Sequence, residues 1–562
     1  MASAKMKLSI EGLSGALDEN VDAHLSLIDE NRIDNTPYFK GYIESEIKKA
    51  LRALGYYSPR FYYHVNEPAN SSSSASSTLV ITVEPGEPVL IKHVDVNITG
   101  EGQNDKDYIA LLQNETPKID TILNHGVYDS FRKKLQSIAL AKGYFESEMS
   151  LHQLAVAEKL KQAFWQIDFN TGKRYRFGSV TFADSVIRES YLRNIIPFDD
   201  NEYYTSDQLS LFTRRLSSTN WFNSVSVIPL FRQVTDDKAL PLYVMTTPRK
   251  KNIVDLGLGY STDIGLRGKI GLNRPRLNDR GYSFQTELSL SAPEQSLSAV
   301  YKMPLESSPL EYYYTIQGGY KRIDNNDTDS DSFTVSVIRN WDSFEGWQRS
   351  LGLNAMLDNF TQADDEYETF LLYPSFTLSR IRSDGRLFPM WGDSQHYSLE
   401  AASADLASDI NFIRFQIQHA WIRSINENHR FIARANFGII QADEFDRVPP
   451  SFRFFAGGDR SVRGYSYQSI SPEDSSGKLK GASKLLTGTL EYQYRLTDSW
   501  WAATFMDTGE AADRFNIDEF YSGAGVGIRW ASPIGSIRLD VATPIDTSSR
   551  SVHFYIGLGT EL

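Results

Sequence analysis

The chain has 562 residues, enough for several domains, and carries a formal net charge of -13 at pH 7. This acidic balance disfavours nucleic acid as a partner, and the absence of cysteine excludes a disulfide framework and thiolate metal sites. No run of apolar residues is long enough to predict a transmembrane helix. The first residues, MASAKMKLSIEG, lack the apolar core of a secretory signal. Either the protein is not exported, or its signal is absent from this sequence.

The first part of the chain contains a weak threefold repeat. In each copy a helical pattern ends in glycine or asparagine, and two aromatic residues follow: Gly55, Tyr56 and Tyr57; Gly143, Tyr144 and Phe145; Asn220, Trp221 and Phe222. Glycine and asparagine suit the left-handed conformation that closes many helices, and the aromatics are predicted to begin a strand. Each copy reads as strand, two helices and two strands. The predicted domains are 1–86, 87–171 and 172–248.

From residue 250 to 562 the hydrophobic period becomes two. In LTGTLEYQYR, for example, apolar Leu486 and Leu490 alternate with polar Thr489 and Glu491. Such alternation suits either a soluble β-sandwich or a membrane barrel. Segments of about ten residues, their long continuation without a helix, and aromatic clusters such as WWAATF favour the barrel. At roughly 20 residues per strand and connection, the pattern predicts a transmembrane β-barrel of about 16 antiparallel strands.

One predicted connection, residues 442–484, is far longer than a hairpin turn and contains FFAGGDRSVRGYSYQ. Long connections without secondary structure are usually functional. The run GGDRSVRGY, with GTLEYQY and FMDTGE after it, resembles the signature of the outer-membrane assembly superfamily. In that superfamily, periplasmic α+β POTRA domains precede a 16-stranded barrel. The three N-terminal units, GASKLLTGTLEYQY and the terminal FYIGLGTEL resemble, within it, the TamA family of translocation and assembly module subunits.

The resemblance implies that the long connection folds back into the barrel and desolvates Arg463, which must then find partners. Glu491 lies on the lumen-facing parity of its strand, and the resemblance supplies Asp507 as a second acid. An arginine fork can hold both carboxylates. The alternative is an exposed loop arginine. The predicted loop clamp consists of Arg463, Gly464, Tyr465, Glu491, Asp507 and Gly509.

The first and last barrel strands, in NIVDLGLGYSTD and SVHFYIGLG, both carry glycines. Glycine weakens a strand because it costs more entropy to order and offers no side chain to pack. The resemblance implies a lateral seam that opens and adds a client strand at its edge. The alternative is that the glycines only relieve crowding inside a tilted barrel. The predicted seam residues are Gly257, Gly259, Gly557 and Gly559.

The resemblance implies a protein of the bacterial outer membrane with its POTRA domains in the periplasm. The implied partners are TamB, anchored in the inner membrane, unfolded outer-membrane clients such as autotransporters, and the lipid bilayer. No cofactor, no metal and no enzymatic activity are expected, because the sequence shows no catalytic triad pattern, HExxH motif or phosphate-binding loop. A two-partner secretion channel and a lipid conduit working with TamB are alternative functions. The three N-terminal units disfavour the channel, which carries two.

Overall fold

The structure is a computed structural model. It describes residues 6–26, 28–29, 33–67, 77–342, 346–533, 535–545 and 551–558, without the side chain of Ile517. The chain forms two compact units. The first comprises Met1–Thr181, Pro197–Leu211 and Val227–Val244, and the second comprises Phe182–Ile196, Phe212–Ser226 and Met245–Leu562. No helix among the described residues is long and apolar enough to cross a membrane.

Three small α+β folds precede the barrel, each with a three-stranded sheet. The first has β1 (Lys7–Glu11), α1 (Ala16–Leu25), α2 (Pro37–Ala53), β2 (Arg60–Asn66) and β3 (Thr78–Glu84), and its sheet order is β1-β3-β2. The second has β4 (Leu90–Thr99), α3 (Lys106–Glu115), α4 (His125–Lys142), β5 (Glu148–Ala157) and β6 (Gln162–Asn170), in the order β4-β6-β5. The third has β7 (Arg176–Phe182), α5 (Glu189–Arg193), α6 (Ser206–Ser218), β8 (Phe222–Pro229) and β9 (Ala239–Pro248), in the order β7-β9-β8.

This element order confirms the predicted three α+β units. Each small core forms where the apolar stripe of a helix meets one face of its sheet: Ile43, Ile47 and Leu51 of α2 pack with Leu79 and Ile81 of β3. The side chain of Thr36 caps α2 by accepting the Phe39 N–H at 3.2 Å.

The helix-ending residues have the predicted conformation, with φ of 92° at Gly55, 84° at Gly143 and 60° at Asn220. The expectation that strands begin at the following aromatics is correct only for β8, which begins at Phe222. In the other two units the aromatics precede the strand, and the second aromatic of each pair, Tyr57 or Phe145, packs against the next α+β fold. The Tyr57 hydroxyl, for instance, lies 2.6 Å from His125 Nε2 at the start of α4.

The second part of the chain forms one sheet of 16 strands in sequential order, as predicted. Its strands are β10 (Ile253–Ser261), β11 (Gly265–Arg274), β12 (Ser283–Leu290), β13 (Glu294–Pro304), β14 (Tyr312–Asn325), β15 (Thr328–Asp342), β16 (Gln348–Gln362), β17 (Asp365–Ser383), β18 (Gly392–Ala402), β19 (Phe412–Ile425), β20 (His429–Ala442), β21 (Lys484–Arg495), β22 (Trp500–Ala512), β23 (Tyr521–Ser532), β24 (Gly535–Pro544) and β25 (His553–Leu558). The uniform length of about ten residues predicted from sequence is wrong, because β12 has 8 residues and β17 has 19. Long strands extend beyond the apolar band that the pattern reports.

Successive strands are antiparallel, so their connections alternate between two ends of the barrel. We call the end at which the chain enters β10 the proximal end and the opposite end the distal end. The connection 443–483 is distal, and the connection 384–391 is proximal. Alternation sorts the side chains as predicted: Leu490 faces outward and is exposed, whereas Glu491 faces the lumen and is buried.

Candidate functional site

The long distal connection folds into the lumen. Short antiparallel bridges between Phe454 and Ala482 and between Ala456 and Ile470 give it local order. Its apolar side chains form a buried cluster with the wall; the cluster comprises Ile440, Phe454, Ala456, Val462, Ile470, Ala482, Leu485 and Ala511. Burial of these apolar groups stabilises the inward position of the loop.

Arg463 lies at the inner turn of this loop and is 1% exposed. Its guanidinium forms a two-point pair with Asp507, with Nε 2.7 Å from Oδ2 and Nη2 3.0 Å from Oδ1. Nη1 donates to Glu491 Oε2 at 3.1 Å. The backbone N–H of Arg463 also donates to Asp507 Oδ2, at 3.1 Å. The structure therefore brings together the arginine and both acids that the sequence singled out.

Phe505 resolves an apparent conflict in the pattern of β22. Phe505 and Asp507 are two residues apart and so lie on the same side of β22. An apolar residue on that side weakens the inference that the side faces the lumen. In the structure both side chains face inward, and the Arg463 guanidinium lies 3.3 Å from the centre of the Phe505 ring. The aromatic face provides a cation–π contact for a desolvated arginine.

Two further buried charges complete the cluster and were missed as site residues from sequence. Asp540 of β24 accepts from Arg463 Nη1 at 3.1 Å. Arg529 of β23 donates to Glu491 Oε1 from Nε at 3.0 Å and from Nη2 at 2.8 Å, and it also pairs with Asp540. Two arginines thus meet three carboxylates within the cluster. The sequence could have indicated Asp540 and Arg529 only through their alternation with apolar residues, which puts them on the lumen-facing side of their strands.

Gly464 permits a close approach of the loop backbone to the barrel wall. Its φ is 104°, and a Cβ placed there would lie 2.9 Å from Pro544 N. Its N–H donates to the Tyr555 hydroxyl at 3.0 Å, and that hydroxyl donates to the Tyr465 carbonyl at 2.8 Å. The Tyr465 ring packs edge-on against Tyr521 of β23, with ring centres 5.2 Å apart.

Gly509 lies in the barrel wall on β22. It pairs with Thr487 in the β21–β22 ladder, and a Cβ there would lie 2.4 Å from the Leu486 carbonyl oxygen. Its closest neighbours are therefore wall residues of β21, and no contact with Arg463 is found among the described residues.

The seam lies between β10 and β25, which are side by side. Every other neighbouring strand pair of the barrel has a hydrogen-bonded ladder, but the described parts of β10 and β25 have none. Gly257 and Gly259 are on β10, and Gly557 is on β25. A Cβ at Gly557 would lie 2.7 Å from Arg538 Nη2, so this glycine makes room for a lumen arginine. Gly559 lies outside the described residues.

A cavity of about 430 Å³ borders the lumen side of the seam and is lined by all three described seam glycines. The inward loop contacts both sides of it. The Asp459 N–H donates to Asp263 Oδ2 at 2.6 Å, in the turn between β10 and β11. Arg538 of β24 donates to Asp459 Oδ2 at 3.1 Å. Burial raises the pKa of Asp263 to about 7; the Asp459 N–H opposes this rise, and the Asp459 carboxylate adds to it.

The arrangement is suited to holding and releasing a segment. It combines a desolvated ion cluster, a loop that contacts both sides of an unpaired edge, and a cavity behind that edge with a mixed polar and apolar lining. Within the described part of the chain, no group of three or more histidine, aspartate or glutamate side chains is placed to hold a metal ion.

Comparison with known proteins agrees with this architecture. The profile of the Omp85 superfamily domain matches residues 252–562, and that of the first POTRA domain of TamA matches residues 7–85. The outer membrane protein assembly factor BamA of Nitratidesulfovibrio vulgaris is 24% identical over 364 residues, or 62% of this chain and 46% of that protein. The chain thus spans about half the length of this curated relative. The crystal structure of Haemophilus ducreyi BamA lacking POTRA domains 1–3 is similar, with a TM-score of 0.57 at 14% identity, over 99% of this chain and 100% of the other.

The superfamily profile covers more than half of the chain, including the inward loop and both seam strands. The TamA-type profile supports the narrower resemblance read from the sequence. Together they place the barrel in the outer membrane and the N-terminal domains in the periplasm. The chain belongs to the Omp85 superfamily.

Proposed function

We propose that this protein is an outer-membrane translocation and assembly factor that inserts β-barrel clients by strand addition at the seam between β10 and β25. The observation that carries the proposal is the missing ladder between these strands in a sheet whose other neighbours are all paired over the described residues. An unpaired edge presents free N–H and C=O groups that can template another strand.

The composition of the edge supports this function. Gly257 and Gly259 reduce side-chain packing along β10, and Gly557 does the same along β25. Separating the two strands therefore breaks few contacts. The lumen is occupied by the inward loop, which favours the seam over the lumen as the route of a client. This favours assembly over the two-partner secretion channel.

The match of the first domain to a TamA-type POTRA profile supports a proposal about the partners. We propose that TamB, anchored in the inner membrane, binds the first N-terminal domain, and that unfolded autotransporters are among the clients. We propose 1–86, 87–171 and 172–248 as the limits of the three N-terminal domains. The protein acts without cofactor, metal or nucleic acid and catalyses no covalent reaction.

A disulfide across the seam tests the function, because the chain has no native thiol. Cysteines replace outward residues of β10, Leu256 or Leu258, together with outward residues of β25, Phe554 or Ile556. Oxidation should reduce client insertion into proteoliposomes, and reduction should restore it. The control is Val541→Cys with Phe554→Cys, which joins β24 to β25 where a ladder already pairs them. Full client insertion with a completely oxidised seam would refute the proposal.

The same variants separate assembly from lipid transport. If the protein is instead a lipid conduit working with TamB, oxidation of the seam should leave client insertion unchanged. The rate of lipid transfer in the presence of TamB should then change on oxidation. We favour assembly because the unpaired edge offers main-chain hydrogen bonds, which suit a peptide strand.

A further inference from the structure

A second segment enters the lumen, from the proximal end. The connection between β17 and β18, residues 384–391, reaches far beyond its neighbouring strands. Its Phe388 ring packs against Trp501 of β22, with ring centres 5.5 Å apart. Trp501 is a lumen-facing residue four strands away from β18, and it is 3% exposed. A turn that stayed at the rim would contact only the strands beside it.

The turn has its own internal order. The Asp384 carboxylate accepts the backbone N–H groups of Arg386 and Met390, at 3.3 and 3.0 Å. Gly385 has a φ of 76°, which fits the tight bend. The Met390 carbonyl accepts the Ser424 hydroxyl of β19 at 2.7 Å. The segment is thus folded onto the inner wall as a defined element, which we call the proximal stopper.

Arg430 of β20 holds the proximal stopper. This arginine is 0% exposed, and its Nε donates to the Pro389 carbonyl at 2.8 Å while its guanidinium lies 4.1 Å from the centre of the Phe388 ring. A buried arginine needs its hydrogen-bond acceptors, since an unsatisfied charged donor is costly. Departure of the stopper would remove the Pro389 acceptor and the aromatic face together.

The other side of Arg430 leads to the loop clamp. Arg430 Nη1 donates to Gln493 Oε1 at 2.6 Å, and Gln493 Nε2 donates to Glu491 Oε1 at 2.6 Å. Glu491 Oε2 in turn accepts from Arg463. Gln493 is also 0% exposed. A continuous line of buried hydrogen bonds therefore joins the proximal turn to the distal loop.

We propose that residues 384–391 are a second closing element of the lumen, and that Arg430 and Gln493 are positioning residues that couple it to the Glu491–Arg463 pair. Because Gln493 uses its oxygen toward one element and its nitrogen toward the other, it cannot reorient for one without losing the other. Closure of the lumen by the stopper at the proximal end therefore favours closure by the loop at the distal end, and the reverse. This inference does not depend on whether the cargo is protein or lipid.

Trypsin digestion of the full-length protein in proteoliposomes or detergent tests the coupling, because both elements carry an exposed arginine. Cleavage after Arg386 reports opening of the stopper, and cleavage after Arg460 reports opening of the loop. Gln493→Leu removes both links of the relay. It should accelerate cleavage at both positions by about tenfold, because local opening governs the rate and each lost bond involved a charged partner.

Asn354→Leu is the matched control. This buried lumen amide on β16 makes hydrogen bonds of similar length, to Ser336, Ser375 and the Tyr373 carbonyl, outside the relay. It should leave both cleavage rates unchanged even where it lowers the melting temperature. If Gln493→Leu does not fold, Arg430→Lys, which keeps the charge, should give a smaller acceleration at both positions. Acceleration at only one position, or at neither, would overturn the coupling. Rapid cleavage after Arg386 in the unaltered protein would overturn the stopper.

Discussion

Gly523 of β23 leaves its side-chain space to the carbonyl oxygen of Arg463: a Cβ at position 523 would lie 1.7 Å from that oxygen. The loop and the wall are therefore in backbone contact beside the ion cluster. Side-chain pairing of Arg463 depends on this contact, because it sets how deep the loop backbone enters the lumen.

Gly523→Ala should consequently displace the loop. Overpacking of a close contact costs about 1–3 kcal/mol, so the melting temperature should fall and cleavage after Arg460 should accelerate. Gly318→Ala on β14 is the control, because a Cβ there meets no atom within 4 Å. Equal melting temperatures for the two variants would contradict the tight approach.

Arg463→Ala should remove the guanidinium that pairs with Glu491, Asp507 and Asp540, and leave Arg529 hydrogen-bonded to only Glu491 and Asp540 of these acids. Breaking a buried ion pair from one side costs about 3–5 kcal/mol, and water entering the lumen should bring the loss to the lower end. Arg463→Lys keeps the charge without the planar fork and should restore only part of the stability.

Thermal unfolding measures the loss of stability in the Arg463 variants. External protease access to residues 457–471 measures whether the loop has left the lumen. Ser475→Ala, at an exposed position of the same loop, is the control and should change neither. Rapid cleavage within 457–471 in the unaltered protein would show that the loop is accessible and that the clamp does not hold it.

The contact between Asp263 and the loop should make stability depend on pH. The folded pKa of about 7 exceeds the unfolded value of about 3.9, so the folded state binds the proton more tightly. Stability should decrease as pH rises from about 4 through 7. The charged groups near Asp263 are Asp459 of the loop, whose N–H it accepts, and Arg538 of β24, which pairs with Asp459. Tyr467 and Tyr555 are also nearby.

Asp263→Asn keeps an acceptor for the Asp459 N–H but cannot ionise. Its melting temperature should therefore change less between pH 5 and pH 8 than that of the unaltered protein. Asp405→Asn, at an exposed distal position, should retain the original pH dependence. A slope that survives in Asp263→Asn would assign the pH effect to another group.

Deletion of residues 1–85 should abolish co-purification with TamB while the barrel still inserts, because we assign TamB binding to the first domain. Membrane fractionation and folded migration of the truncated protein provide the control for insertion. Undiminished recovery of TamB would move the binding surface to the later domains or the barrel.

Local pattern determined much of this protein. A helix-ending glycine or asparagine reports a backbone conformation, so Gly55, Gly143 and Asn220 could be placed without tertiary information. A period of two is likewise a property of one strand, and it correctly oriented Glu491 toward the lumen. The number of strands followed from the repetition of that period over the segment.

Only the tertiary structure decided which lumen residues meet. Asp540 and Arg529 have the same parity as many other wall residues, and nothing local distinguishes them until the sheet closes around the loop. Asp507 required a family resemblance, because Phe505 obscured its parity. The contacts of Asp459 with Asp263 and of Phe388 with Trp501 join segments separated by more than a hundred residues. Such pairings depend on how the closed sheet and its inward segments fill one shared volume, which hydrophobic periodicity does not encode.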